Sequence, residues 1–420
     1  MNIIYHSKKV NWKIIVATIL FSEMLTIAAF TITVPILPLI LKDFFDLEGQ
    51  ELTKWTGFLG AGPSFAMMIL MPVWGILADK YGKRLMLLRA LVTGIIIIGL
   101  MSFVQTPLQL LVLQTLQGGF TGSIAAATVL VLYYTPKSHT ISILALLQVA
   151  IFLGKSIGPF LGGSVYDTFG GRWNFPITSL ILLVSLILLI IVVPKDKPSP
   201  KDISQPMINN GVRKGLHPFL LFLMSMTFSI AIAFSLVNSI FVIYVKNIVS
   251  EIPELLGNLG RINGMIMSIS NLAMAAGALL FSRLAKYIKM EKMLIFAVIG
   301  TAIFYLPQIY APNWQVILVI RSMESFFVGG ITPALQYFIS RYAEKERQGA
   351  IFGLNRSLDG LGLTFGPLIG VMIVNSHEGS FQPVFILGSF LLVLIALIFM
   401  IVSSQEKRRS PGLICACQSS

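Results

Sequence analysis

Charge is what this chain has least of. Only 12% of its 420 residues are Asp, Glu, Lys or Arg, and 55% are hydrophobic. Soluble domains carry about 25% charged residues, so a water-soluble globular protein is excluded and a polytopic membrane protein is expected. Cysteine is nearly absent: Cys415 and Cys417, in the C-terminal tail, are the only two. No disulfide framework can form elsewhere, and one C-x-C at a tail end reads as incidental thiols. The four histidines, at 6, 139, 217 and 377, lie at helix ends or in loops and form no metal cluster. There is no G-x-x-x-x-G-K-[ST] loop to cradle ATP phosphates, and no set of catalytic groups is present. Neither an enzyme nor a cofactor is expected, and no metal; an ion gradient is left as the energy source.

About 20 apolar residues cross the hydrocarbon core. That ruler gives twelve spans: roughly 14–41, 56–77, 85–104, 108–134, 140–164 and 174–193, then 217–245, 262–282, 293–311, 314–339, 349–374 and 381–403. The first is too long for a signal-peptide core of about 7–15 residues, and no small-residue cleavage site follows. The longest polar loop, 194–216, is rich in Pro, Lys, Asp, Ser and Asn and reads as a linker. It divides the chain into two six-helix halves, 1–193 and 217–403, with a tail at 404–420. An all-α polytopic fold is expected.

The net charge of +13 need not mean nucleic acid. With both termini placed inside, 23 of the 31 bases fall on the cytoplasmic side, in the N-terminal segment, linker, tail and alternate loops. The other face has only Lys42, Lys54, Arg172, Lys246 and Arg261. Such asymmetry fixes orientation, with the cell (inner or plasma) membrane as the expected location.

The halves repeat each other. Gly154-x-x-x-Gly158-Pro159-x-x-Gly162 recurs as Gly362-x-x-x-Gly366-Pro367-x-x-Gly370, an offset of 208 residues. A parallel repeat suits a transporter that binds substrate near the midplane between its halves and argues against a channel. Glycines at i, i+4 and i+8 share one helix face and let a neighbour approach closely. Pro159 removes a backbone hydrogen bond and favours a bend. The face, with Gly163 beside it, is expected where one half rocks on the other, although small-residue packing alone would also explain it.

Between the second and third spans lies Gly75 to Arg84, GILADKYGKR, with one acid, three bases and two glycines in ten residues. Charge this dense lies in water at a membrane face. Helix 2 is expected to stop in this stretch and helix 3 to start at Leu85. The pattern Gly75-x-Leu77-Ala78-Asp79-Lys80-x-Gly82-Lys83-Arg84 resembles the signature loop between helices 2 and 3 of the major facilitator superfamily. The GKSIGPFLGG string of helix 5 resembles that superfamily's antiporter motif, and Pro35-Ile36-Leu37-Pro38 resembles the P-x-x-P close of helix 1 in its twelve-helix drug/proton antiporters. Val10 to Lys13, Leu85 to Arg89 and Phe352 to Pro367 are similar to the MdtG-like branch of multidrug exporters. The resemblance implies the major facilitator fold and outward export driven by inward protons. It also implies that Asp79 meets the start of helix 11, here near Gln348 and Gly349, when the cytoplasmic side is shut. One departure stands out. Where the family carries a helix 4 arginine three residues before Gln-Gly, this chain has Gln114. The corresponding place in the second half, about 207 residues on, is Arg321.

Ionisable residues inside spans are functional candidates by default. Glu23 lies ten residues beyond Lys13, roughly 15 Å deep at 1.5 Å per residue. No base lies within a turn of it on helix 1. An acid at such depth suits a reversible proton carrier or a cation site; a static partner on another helix, for which Lys155 is the candidate, is the alternative. Arg321 with Glu324, and Arg356 with Asp359, are spaced i, i+3 and can pair along their helices, either statically or as switches. Lys155 would hold an anionic substrate or balance Glu23.

The leading expectation is a secondary transporter, acting as a monomer in the lipid bilayer, that exports small amphipathic compounds against protons. Export of an anionic metabolite or siderophore, or import of a nutrient, are the alternatives. No nucleic-acid partner is expected.

Overall fold

The computed structural model describes residues 11–136, 139–195, 217–238, 240–250, 257–284, 287–342 and 348–409. Hydrocarbon offers no partner to a backbone N–H, so a spanning chain must satisfy its amides within helices. The described residues form fifteen α-helices that make twelve rods. The first rod is α1 (Trp12–Thr31) and α2 (Leu37–Phe45), joined by a 3-10 turn at Val34–Ile36. The second and third are α3 (Gly49–Tyr81) and α4 (Lys83–Met101). The fourth is split into α5 (Pro107–Phe120) and α6 (Ser123–Tyr134), and α7 (Thr140–Phe169) and α8 (Asn174–Val192) follow. The next six are α9 (Pro218–Asn238) with α10 (Phe241–Val249), then α11 (Leu259–Leu284), α12 (Met290–Tyr305), α13 (Trp314–Tyr342), α14 (Gln348–Ser376) and α15 (Gln382–Arg409). Ten rods are long and apolar enough, within the described residues, to cross a membrane. Large apolar side chains such as Phe103, Ile191 and Phe390 stay exposed on the outside of the bundle, where lipid would cover them. Most of the expected linker, 196–216, lies outside the described residues.

Local chemistry sets several boundaries. Thr106-Pro107-Leu108-Gln109 is a capping box: the Thr106 hydroxyl accepts from the Gln109 amide and the Gln109 carbonyl accepts from the Thr106 amide, both at 3.3 Å. Pro107 at the first helical position loses no intrahelical bond. Pro35 and Pro38 do not end the first rod, as their spacing suggested. Pro35 sits in the 3-10 turn and Pro38 in the first turn of α2, and the chain runs on to Phe45.

The charged stretch between the second and third rods is also tighter than expected. α3 continues to Tyr81 and α4 starts at Lys83, so Gly82 alone makes the connection, with φ of 101°. Only glycine adopts that backbone conformation without strain. Ala78 to Tyr81 contain no helix breaker, which is why the helix does not stop earlier. The side chains of Asp79 and Gln348 lie outside what the structure describes, and with them the expected meeting of Asp79 with the start of helix 11. Lys83 lies 5.9 Å from the Tyr133 ring, and the Arg84 guanidinium donates to the Ile190 carbonyl at 3.1 Å. The start of α4 is thereby tied to the ends of α6 and α8.

The glycine stripes face differently from the sequence expectation. Cβ atoms at Gly154, Gly158 and Gly162 would collide with α1, at the carbonyls of Met24, Ala28 and Ile32. Those at Gly362, Gly366 and Gly370 would collide with α9, at Ala231, Ser235 and Leu236. Each stripe is one helix wide, and a helix of its own half fills it. Gly163, one step round α7, does meet the other half, where it abuts the Gly260 carbonyl. Gly162→Ala is expected to push α1 off α7, because the Ile32 carbonyl carbon lies 2.7 Å from the added methyl. Overpacking of this kind costs about 1–3 kcal/mol. Thermal unfolding in detergent checks it, with Gly257→Ala, which meets nothing within 4 Å, as the neutral control.

The two sets of six meet along α7 with α11, and along α3 with α14.

Candidate functional site

The charged residues inside the spans fall into three groups. The first is Glu23, in the middle of α1 and 1% exposed. Its Oε1 accepts from the Ser123 hydroxyl at 2.9 Å, and its Oε2 is buried with no hydrogen-bond partner among the described residues. Ser123 is the first residue of α6. The acid therefore sits at the break in the fourth rod, beside a helix N-terminus, where the peptide dipoles favour an anion. Lys155 is not its partner. That alternative pairing is not formed among the described residues: Glu23 turns to Ser123 on α6, and the charges that act on Lys155 are Arg356 and Asp359 of α14. Gln114, the residue in place of the family's arginine, is buried six residues before the end of α5 and brings no charge to this region.

The second group is buried inside the second half. Arg321 Nη1 and Glu324 Oε2 are 2.6 Å apart, with the acid fully buried. Gln308 donates to the same carboxylate oxygen at 3.2 Å, and Arg321 Nη2 donates to Asn238 Oδ1. The guanidinium also stands 4.7 Å from the Phe241 ring. A charge removed from water needs this many partners. The i, i+3 spacing announced the pair. Gln308, which precedes the tenth rod, gave no signal.

The third group faces the space between the halves. Arg356 Nη1 and Asp359 Oδ2 on α14 are 2.8 Å apart, and the arginine side chain is 60% exposed. Lys155, at the centre of α7, lies within electrostatic reach of both. Its ammonium makes no hydrogen bond or ion pair among the described residues. An exposed guanidinium on a spanning helix that senses a lysine on the opposite half must look into the space between them. Two cations and one anion thus line that space, a net charge of +1. Beside Lys155, α7 and α11 are zipped together: Ser156 donates to the Ser268 carbonyl at 3.0 Å, Ser268 to the Ser156 carbonyl at 2.5 Å, and Asn271 to the Lys155 carbonyl at 2.9 Å.

The structure therefore brings Lys155, Arg356 and Asp359 together, and keeps Glu23 and the Arg321–Glu324 pair apart from them, each within its own half. Ser123 is the partner that sequence reasoning missed. The glycines at 118, 119 and 122 were the available sign that the fourth rod breaks next to it.

The sequence model of the Major Facilitator Superfamily matches residues 19–253 and 223–414. A multi-drug resistance efflux pump PmrA homolog of Lactococcus lactis subsp. lactis is 26% identical over 414 residues, covering 97% of this chain and 99% of that protein. The multidrug resistance protein MdtG of Escherichia fergusonii is 29% identical over 409 residues, 96% of this chain and 98% of that one. Among solved structures, the nucleoside transporter NupG superposes with a TM-score of 0.73 at 13% identity, over 92% of this chain and 98% of that chain.

Proposed function

Because the chain belongs to the Major Facilitator Superfamily, we propose that it is a secondary active transporter that exports small amphipathic compounds in exchange for protons by alternating access. Transport is the activity of the family, and relatives over nearly the whole chain bear the names of multidrug efflux pumps. The observation that carries proton exchange is Glu23: a carboxylate in mid-span that, among the described residues, pairs with no base and leaves one oxygen without a hydrogen bond. Each of the other two acids already holds an arginine.

With the base-rich side as the cytoplasm, the Gly163–Gly260 contact of α7 with α11 lies toward the outside, and in this cycle the space around Lys155 is the one reached from inside. A substrate enters it from the cytoplasm or the inner leaflet. A proton taken up from outside neutralises Glu23 and lowers the cost of burying it. Substrate loading displaces that proton to the cytoplasm, and the halves rock to expose the substrate outside. The glycine stripes hold α1 on α7 and α9 on α14, so each half moves as a packed unit.

The net positive charge of the space favours a second reading, in which the cargo carries an anionic group held between Lys155 and Arg356. Acid-loaded proteoliposomes test both. For an antiporter, adding substrate outside makes the lumen more alkaline as protons leave. A response to a lipophilic cationic dye supports the first reading. A response only to an organic anion, lost in Lys155→Gln, supports the second. No substrate-dependent proton flux with either would overturn the exchange mechanism.

A further inference from the structure

The end of α7 holds an acid that the transport cycle above does not use. Asp167 accepts two backbone hydrogen bonds from the other half of the protein: Gly260 N–H to Oδ1 at 3.0 Å and Arg261 N–H to Oδ2 at 2.7 Å. Gly260 and Arg261 lie in the first turn of α11. The first amides of a helix have no partner within it, and an anion is favoured there. One carboxylate on α7 therefore fills the place of a cap for a helix of the opposite half. The glycines explain how it gets there. Gly163 and Gly260 are in backbone contact, and a Cβ at Gly260 would meet Asp167 Oδ1 and the Tyr166 ring at 2.7 Å. Next to it, the Tyr166 hydroxyl donates to Asp43 Oδ2 at 2.6 Å, which anchors the same turn of α7 to α2 in its own half. The repeat does not copy this arrangement. The residue 208 positions after Asp167 is the neutral Asn375, and those 208 before Gly260 and Arg261 are Leu52 and Thr53.

We propose that Asp167 is the gating residue of the face opposite the Gly82 turn. Its carboxylate clamps the start of α11 and must release it before that face opens, so the α7–α11 seam carries the latch. The inference rests on the alternating-access reading, and its test reads opening rather than transport.

The only two cysteines of the chain, Cys415 and Cys417, are first replaced by serine. Spin labels are then placed at Phe169→Cys and Gly257→Cys. Phe169 is the exposed last residue of α7, and a side chain at Gly257 meets nothing within 4 Å, so the pair reports across the seam. Pulsed electron paramagnetic resonance measures the distance distribution. Asp167→Ala is expected to raise the long-distance population at least tenfold, through the loss of two charge-assisted hydrogen bonds. Asp167→Asn keeps one acceptor and is expected to fall between Ala and Asp; its intermediate shift carries the test if the alanine variant does not fold. Tyr166→Phe removes only the contact within the first half and is expected to match wild type. Identical distributions in wild type and the Asp167 variants overturn the latch, as does a shift in Tyr166→Phe as large as that in Asp167→Ala. The alternating-access reading survives those results if substrate still shifts the wild-type distribution, and falls if nothing does.

Discussion

Glu23→Gln is expected to fold, reach the membrane and bind substrate, yet lose export driven by a pH gradient to background. Glutamine has the shape of the acid it replaces. Its carbonyl still accepts from Ser123, which now donates to Glu23 at 2.9 Å. The second oxygen, buried and unpartnered, becomes an amide nitrogen at similar volume. A neutral amide is less costly inside a bilayer than a carboxylate, so the variant should be at least as stable as wild type. It has no proton to bind or lose near neutral pH. Exchange of substrate for substrate, which needs no proton, should persist. Gradient-driven uptake into acid-loaded vesicles reads the first property, and counterflow of labelled substrate the second. Loss of both would point to damaged binding; retention of both would move coupling to Asp359 or Glu324.

Arg321→Met should be the most destabilising single change among the charged residues. It strips Glu324 of a partner 2.6 Å away at a site with no solvent exposure. It also removes the donor to Asn238 and the cation beside Phe241. Breaking a buried pair from one side costs about 3–5 kcal/mol, whereas replacing both members with apolar residues is often neutral. Arg321→Met with Glu324→Leu should therefore recover most of the loss. Thermal unfolding in detergent measures both. A single variant as stable as wild type would mean that the pair does not hold the second half together.

These expectations draw on different amounts of sequence. The spans were legible because lipid imposes one rule on every residue that faces it, and the runs 85–104 and 174–193 reappear as α4 and α8 within a few residues. The i, i+3 pairs were legible because helix geometry fixes their spacing. Contacts between spans were not. Glu23 was readable as a deep acid, but Ser123 became its partner only through a break in the fourth rod a hundred residues away. The glycine stripe on α7 was plain, yet periodicity says which residues share a face and not which helix covers it. Asp167 gave no signal, because its partners are backbone amides and carry no side-chain signature.

Substrate and proton alternate at Glu23 in this account, and one measurement addresses that most directly. Purified protein in detergent, in weakly buffered solution with a pH indicator, is mixed with a transported substrate. Wild type is expected to release protons as substrate binds, and Glu23→Gln to bind the same substrate without release. Binding by wild type with no proton release, or equal release from the Glu23→Gln protein, would contradict the account.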